Sequence, residues 1–486
     1  MILPVIRTRI VQIAILCVLV GGSLLFIRHV GERGGMSIVS TATWVAAVAW
    51  VALAADKWWI ITPVSVAFGG TLLVGHKYYP HEMALVLSVL ALFPAIALRR
   101  KNILARPPLP WATYVLVSLF MINWVVSCYG LNTADVGDLG SLSRAYMNGL
   151  WVLIFGILFY KYGILNPALI LHLLYGTFLL RAILGGLSVV FQDIFPIPSA
   201  GFFLSGMALG LGDYRVTGLQ LGLLAYVHAG MSQRRAVKFM HYVVVVIAVA
   251  LTAMGGGRVM VAMICLIPLI LSVLRRRFGW FALMGAVVVA FIIILNRYPD
   301  SLYRLPESAR RSLSILVSES STRWLDWHDM NRISNMWHQR LGQLGFERWT
   351  ETPLTFLFGN RVEPFDEAYN AYSATWETKA DIAAKLGLYE AGLWTVLGLA
   401  GIIGFLAYLR MFLFLLKGPL RLIHSAAGSH PARALAFIAL VSITLWAVFS
   451  WIAGGFPSYE LLLAFLAKAA YEDSNRRETE GTLCAS

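Results

Sequence analysis

The sequence predicts an all-α polytopic membrane protein of about 12 to 14 transmembrane helices with one large extramembrane loop. Three observations predict it. Hydrophobic residues make up 59% of the 486-residue chain and charged residues only 13%, whereas a soluble domain carries about 25% charge. The apolar residues form continuous runs, among them 10–27, 36–55 and 83–98, close to the roughly 17 to 25 residues a helix needs to cross hydrocarbon. Only one sizeable stretch, 297–390, is polar. Helices and closed barrels are the structures that satisfy every backbone group in lipid, and continuous runs lack the alternation of barrel strands.

Taken in order, the expected spans are 9–28, 36–55, 58–75, 82–98, 111–130, 146–163, 167–191, 216–231, 239–255, 257–274, 278–296, 391–416 and 434–454, with a weaker one at 457–471. No small-residue cleavage site follows the first run, so it is expected to remain as the first helix. The chain divides into transmembrane helices over 1–296, a polar loop over 297–390, further spans over 391–471 and a tail over 472–486.

The formal net charge of +14 orients the spans and does not call for a nucleic-acid partner. If the spans alternate, Arg99-Arg100-Lys101, Arg234-Arg235 with Lys238, Arg275-Arg276-Arg277, and Lys417 with Arg421 share one side. That side is the cytoplasmic one. Arg7 and Arg9 place the amino terminus there, and Arg476-Arg477 the carboxyl terminus; Arg28 and Arg33 are an exception on the outside. Cys17, Cys128, Cys265 and Cys484 have neither redox nor metal-ligand spacing. Neither a phosphate-cradling glycine loop nor a metal-ligand cluster is visible, so no cofactor and no metal are expected.

Ionisable residues inside membrane spans are expensive and mark candidate sites. Arg181 lies toward the outer end of the span 167–191, Arg215 at the outer mouth of the next span, and Arg258 directly after Gly255-Gly256-Gly257. A guanidinium presents a rigid fork of donors to phosphate oxygens, and glycine amides opening a helix add anion-binding donors. Three such arginines at one expected depth suit a diphosphate in the outer leaflet. The bland alternative is that each snorkels to headgroups.

The polar loop mixes Arg323, Arg340 and Arg361 with Trp324, Trp327 and Trp337, and one or two amphipathic helices are expected over about 307–345. Its carboxylates Asp366, Glu367, Glu377, Asp381 and Glu390 precede the next span, which Glu390 opens beside Gly392. His328 and His338 are candidate general bases.

The order and sidedness of these elements resemble the O-antigen ligase and polysaccharide polymerase superfamily of bacterial inner membranes, over about residues 205–410. The elements are Tyr214-Arg215-Val216-Thr217-Gly218, Gly255-Gly256-Gly257-Arg258, the loop stretch Thr322-Arg323-Trp324-Leu325-Asp326-Trp327, a turn over 353–359, and Tyr389-Glu390-Ala391-Gly392. The resemblance implies a GT-C-like bundle with a periplasmic site. Arg181, Arg215 and Arg258 would hold the diphosphate of an undecaprenyl-diphosphate-linked glycan, and Arg323, Trp324, Arg361 and Glu390 would line the loop side. It implies an inverting, metal-independent transfer, with a polysaccharide co-polymerase or a lipid A-core acceptor as partner. One departure stands out. Nine residues before Glu390, where the family has a catalytic histidine, this chain has Asp381, so the base is Asp381, His338 or His328. That departure tilts the expectation toward a polymerase over a ligase.

Two other classes remain in view. A transporter or flippase usually shows related halves, interrupted helices and midplane charges. A non-catalytic scaffold would tolerate lysine in place of Arg215 or Arg258.

Overall fold

The computed structural model describes residues 55–68, 106–129, 136–190, 210–254, 258–274, 278–298, 325–360, 376–385, 391–424, 429–451 and 456–485, with a few isolated positions between them. Expected spans 9–28, 36–55 and 82–98 lie outside the described residues. After a 3-10 turn at Ala55–Ile60, the helices are α1 (Ile61–Phe68), α2 (Trp111–Tyr129), α3 (Val136–Tyr162), α4 (Pro167–Val190), α5 (Gly210–Met231), α6 (Arg235–Met254) and α7 (Arg258–Leu274). Then come α8 (Phe278–Arg297), α9 (Leu325–Thr350), α10 (Pro353–Phe358), α11 (Trp376–Lys385), α12 (Gly392–Leu422), α13 (His430–Phe449) and α14 (Ser458–Ala485). Among the described residues there is no strand.

Among the described residues, three helical stretches, Arg235–Thr252, Gly392–Leu422 and His430–Phe449, are long and apolar enough to cross a membrane. Shorter apolar stretches occur in α2, α3, α4, α5 and α8. The outward faces of α6 and α8 are apolar too: Val237, Phe239, Met240, Val246 and Ile247 on the first, Leu283, Val287, Val289, Ile293 and Ile294 on the second, are all exposed. Contiguous apolar surface of this kind fits a lipid surrounding and not water.

The bundle closes around α14. Every residue from Leu461 to Ala470 is buried, as expected of a helix that is apolar on all sides. The expected weak span at 457–471 is therefore the helix most enclosed by protein, and it continues through the polar tail. Gly156 on α3 lies directly against the Phe465 ring, so the absence of a side chain lets the two helices approach closely. At one end, Arg106 stitches three segments together. Its Nε and Nη2 donate to Asp473 at 2.9 and 2.7 Å, and its Nη1 and Nη2 to the last carbonyls of α3 and the following turn, Tyr160 at 2.7 Å and Gly163 at 2.9 Å. A cation on helix-terminal carbonyls satisfies groups the helix leaves unpaired. Beside it Lys468 pairs with Glu472 at 2.7 Å and lies over the Phe414 ring at 4.4 Å.

At the other end the polar loop enters the bundle. α12 is interrupted at Gly401, whose backbone (φ 62°, ψ −170°) leaves the helical region. The segment after α10 occupies the gap. The Asn360 N–H donates to the Gly398 carbonyl at 2.6 Å, and the Tyr146 hydroxyl donates to the Asn360 carbonyl. The Asn123 amide, from α2, donates to both Phe358 O at 2.8 Å and Leu399 O at 2.7 Å. These bonds satisfy carbonyls that the interruption would strand in an apolar interior. Two glycines are required: Gly359 (φ 90°) has the Ala400 nitrogen 2.5 Å from where a Cβ would stand, and Gly401 lies against the Leu357 carbonyl.

Gly401→Ala or Gly359→Ala should each lower stability by roughly 2–4 kcal/mol, from left-handed strain plus displaced backbone. Gly176→Ala, where a Cβ meets open space, should be neutral or slightly stabilising; thermal unfolding of the detergent-purified protein checks the contrast. Asp473→Asn, which leaves the Arg106 guanidinium buried without its counter-charge, should cost roughly 3–5 kcal/mol in the same assay.

Candidate functional site

Helix registers locate the arginines. His172 near the start of α4 meets His228 near the end of α5, so the two run antiparallel. Gln220 on α5 accepts from Ser442 on α13 at 3.5 Å, and Ser450, just past α13, accepts from Leu393 N at the start of α12 at 3.2 Å. Arg215, five residues before Gln220, therefore lies about one turn below the end where α12 begins. Gly218 packs on the backbone of α6, with Ala248 O 2.6 Å from its notional Cβ. That close approach brings the ends of α5 and α6 together, and α7 opens at Arg258 immediately after α6. The backbones of Arg215 and Arg258 thus share the end of the bundle into which the polar loop docks; their side chains lie outside the described residues.

Arg181 differs from the expectation of a shared depth. By the same register it lies opposite Leu219, about 6 Å and one turn deeper than Arg215. It is 8% exposed, and its Nη1 donates to Ala67 O, in the last turn of α1, at 3.1 Å. A guanidinium on a helix C-terminal carbonyl is a structural arrangement, since that end carries partial negative charge.

The loop forms a small platform. α9 packs on α11 and on the start of α12 through Leu341, Ala380, Ala383, Ala384 and Tyr389, with Trp337, Leu344 and Trp394 around them. Of the candidate bases, Asp381 stands on α11 and accepts from Arg340 on α9 at 3.1 Å, the two side chains 43% and 35% exposed. As a base Asp381 would compete with that contact. His338 is exposed on α9, and His328 is in the same helix, with its side chain outside the described residues. Arg323, Trp324, Arg361 and Glu390 are likewise outside them.

α10 is a feature that sequence reading treated only as a turn. Thr352 caps it in a reciprocal box with Thr355, and Pro353 occupies its first turn; these are ordinary helix-start devices. It buries none of its residues. Leu354, Phe356, Leu357 and Phe358 are exposed, and Trp349 stacks on Phe356 at 4.8 Å while donating to its carbonyl at 3.0 Å. Such an apolar, one-and-a-half-turn helix beside the break in α12 belongs in the interfacial or acyl zone of a membrane.

Two ionisable clusters escaped the sequence reading. Glu460, in the first turn of α14, directly follows Tyr459 and stands one turn beyond Phe456, whose ring lies 6.3 Å from that of Tyr408; its signal was a lone carboxylate opening an apolar run. Closer to the start of α4, His172, Tyr175, His228 and His241 come together from α4, α5 and α6. His228 Nδ1 lies 2.8 Å from Leu224 O and its Nε2 3.1 Å from His172 Nδ1, while the Tyr175 hydroxyl is 3.1 Å from His241 Nδ1. A carbonyl can only accept, so a neutral His228 carries its proton on Nδ1 and accepts at Nε2, and His172 donates from Nδ1. Among the described residues no grouping has the geometry of a metal site.

The chain matches no protein-family model and no curated protein.

Because the Arg340–Asp381 pair is substantially exposed, Asp381→Asn should change stability by no more than about 1 kcal/mol. A thermal melt of the purified variant checks this.

Proposed function

We propose that the protein transfers lipid-diphosphate-linked oligosaccharide units at the periplasmic face of a bacterial inner membrane, as a polymerase of surface polysaccharide repeat units. The observation that carries this reading is the convergence of Arg215, Arg258 and the docked polar loop on one end of the helix bundle. In it the chain is multi-pass, with both termini and the basic clusters cytoplasmic, so this end faces outward.

The chemistry follows from the residue types. Arg215 and Arg258 hold the diphosphate and stabilise the negative charge that grows on it as the glycosidic bond breaks. A loop base, Asp381, His338 or His328, takes the proton of the acceptor hydroxyl. The anomeric carbon exchanges its diphosphate oxygen for the acceptor oxygen with inversion, and the lipid diphosphate leaves. No nucleotide or metal enters this scheme. Arg181, one turn deeper and engaged with α1, acts by positioning α4.

A second reading, transport of a lipid-linked or anionic solute, draws on the break in α12 at Gly401, since interrupted helices frequent transporter sites. The docked loop segment fills that break, which makes it an anchor for the loop and weighs toward chemistry.

Arg215→Lys and Arg258→Lys should each abolish chain extension while the protein still inserts and melts normally, because lysine does not reproduce the bidentate fork. Electrophoresis of surface glycans from a deletion strain carrying each variant reads this directly. Single repeats on lipid A with long chains lost identify a polymerase. Long chains accumulated on the lipid carrier identify a ligase. Unaltered glycans with changed solute uptake identify a transporter.

A further inference from the structure

We propose that Glu460 is a proton-binding site: a carboxyl that carries and exchanges a proton inside the helix bundle, with the Tyr408 and Tyr459 hydroxyls as its polar neighbours. The site is separate from the arginine end and independent of the transfer reading.

Its depth comes from packing. α14 begins inside the bundle and not at its rim. Phe456, just before it, packs on Phe120 at 5.4 Å and on Tyr408 at 6.3 Å, and Tyr459 meets Phe178 edge-on at 5.7 Å. Phe178 is eleven residues beyond Pro167 on α4, or about 16 Å from the inner end, near the middle of a hydrocarbon core about 30 Å thick. Glu460 follows Tyr459 directly. It is partly accessible, while the residues that follow it on α14, from Leu461 to Ala470, are all buried.

Countercharges are engaged elsewhere. Arg181 on α4 is one turn outward and bonded to α1. On α14, Lys468 lies two turns inward and pairs with Glu472. On α13 the ionisable residues His430 and Arg433 sit at the inner end, the described α1 has none, and the α12 cations Arg410, Lys417 and Arg421 are exposed on the outside of the bundle. On α3, Tyr146 is committed to Asn360, and Tyr160 belongs to the inner end with Arg106. Among the described residues no ion pair reaches Glu460. The Tyr408 and Tyr459 hydroxyls are both buried with no hydrogen-bond partner, and Tyr408 is 3% exposed. Buried hydroxyls are normally hydrogen-bonded, so two of them beside one carboxyl mark a place for a proton-bearing group.

Two opposing forces make the proton exchangeable. An unpaired carboxylate in such surroundings loses its solvation, while the N-terminus of α14 favours the anion, so neither protonation state is locked and the proton can exchange. The same helix end disfavours a metal cation.

Dicyclohexylcarbodiimide tests the proposal on the full-length protein in lipid vesicles. A protonated carboxyl adds across its C=N bond, and the O-acylisourea rearranges to a stable N-acylurea that mass spectrometry locates after digestion. The adduct is expected on the peptide carrying Glu460, falling about tenfold per pH unit on the alkaline side of its titration, insensitive to sodium or potassium, and absent in Glu460→Gln. Tyr408→Phe should move the pH at which labelling falls. No adduct at Glu460, labelling indifferent to pH, protection by an alkali cation, or an unmoved profile in Tyr408→Phe would each overturn the assignment.

Discussion

Backbone contact between Gly359 and Gly401 ties the polar loop to the apolar bundle, and that whole end of the structure depends on it. α12 is otherwise an uninterrupted apolar helix, and an interruption in lipid would leave carbonyls with nothing to accept from. The loop segment supplies one donor, Asn360 N, and the neighbouring helix α2 supplies another, the Asn123 amide. In exchange, the loop gains a fixed floor. α9 and α11 then build their small apolar core against Trp394 and Tyr389, at the start of the same helix.

Charge is handled differently at the two ends. One end uses Arg106, Asp473, Lys468 and Glu472 as closed pairs with aromatic faces behind them. Such pairs hold segments in register more than they add net stability, because desolvation offsets most of their attraction. The end where the loop docks instead carries the backbones of Arg215 and Arg258, placed there by helix register. This asymmetry, closed ion pairs at one end and two arginine-bearing helix starts at the other, is what the proposed anion chemistry draws on.

The interior between those ends is not uniformly apolar. Glu460 stands near mid-depth, and the His172–His228 pair with Tyr175 and His241 lies nearer the inner end, on helices that also bound the arginine end. A bundle with ionisable groups at three levels accommodates either the proposed transfer chemistry or a transporter, and the interruption in α12 is occupied by the loop segment after α10.

Hydropathy and charge along the chain determined the all-α class and the positions of α2 to α8, α12 and α13, because each of these is a property of one contiguous segment in lipid. They also marked about 307–345 as helical within the polar loop, of which 325–345 lies in α9. The break at Gly401, the partners of Asp381 and Arg181, the enclosed position of α14 and the histidine cluster were decided only by tertiary structure. Asn123 and Phe358 are 235 residues apart, and Arg106 and Asp473 are 367 apart; no local periodicity encodes such pairings. A glycine in an apolar run reads as one more small residue until another backbone is seen lying against it.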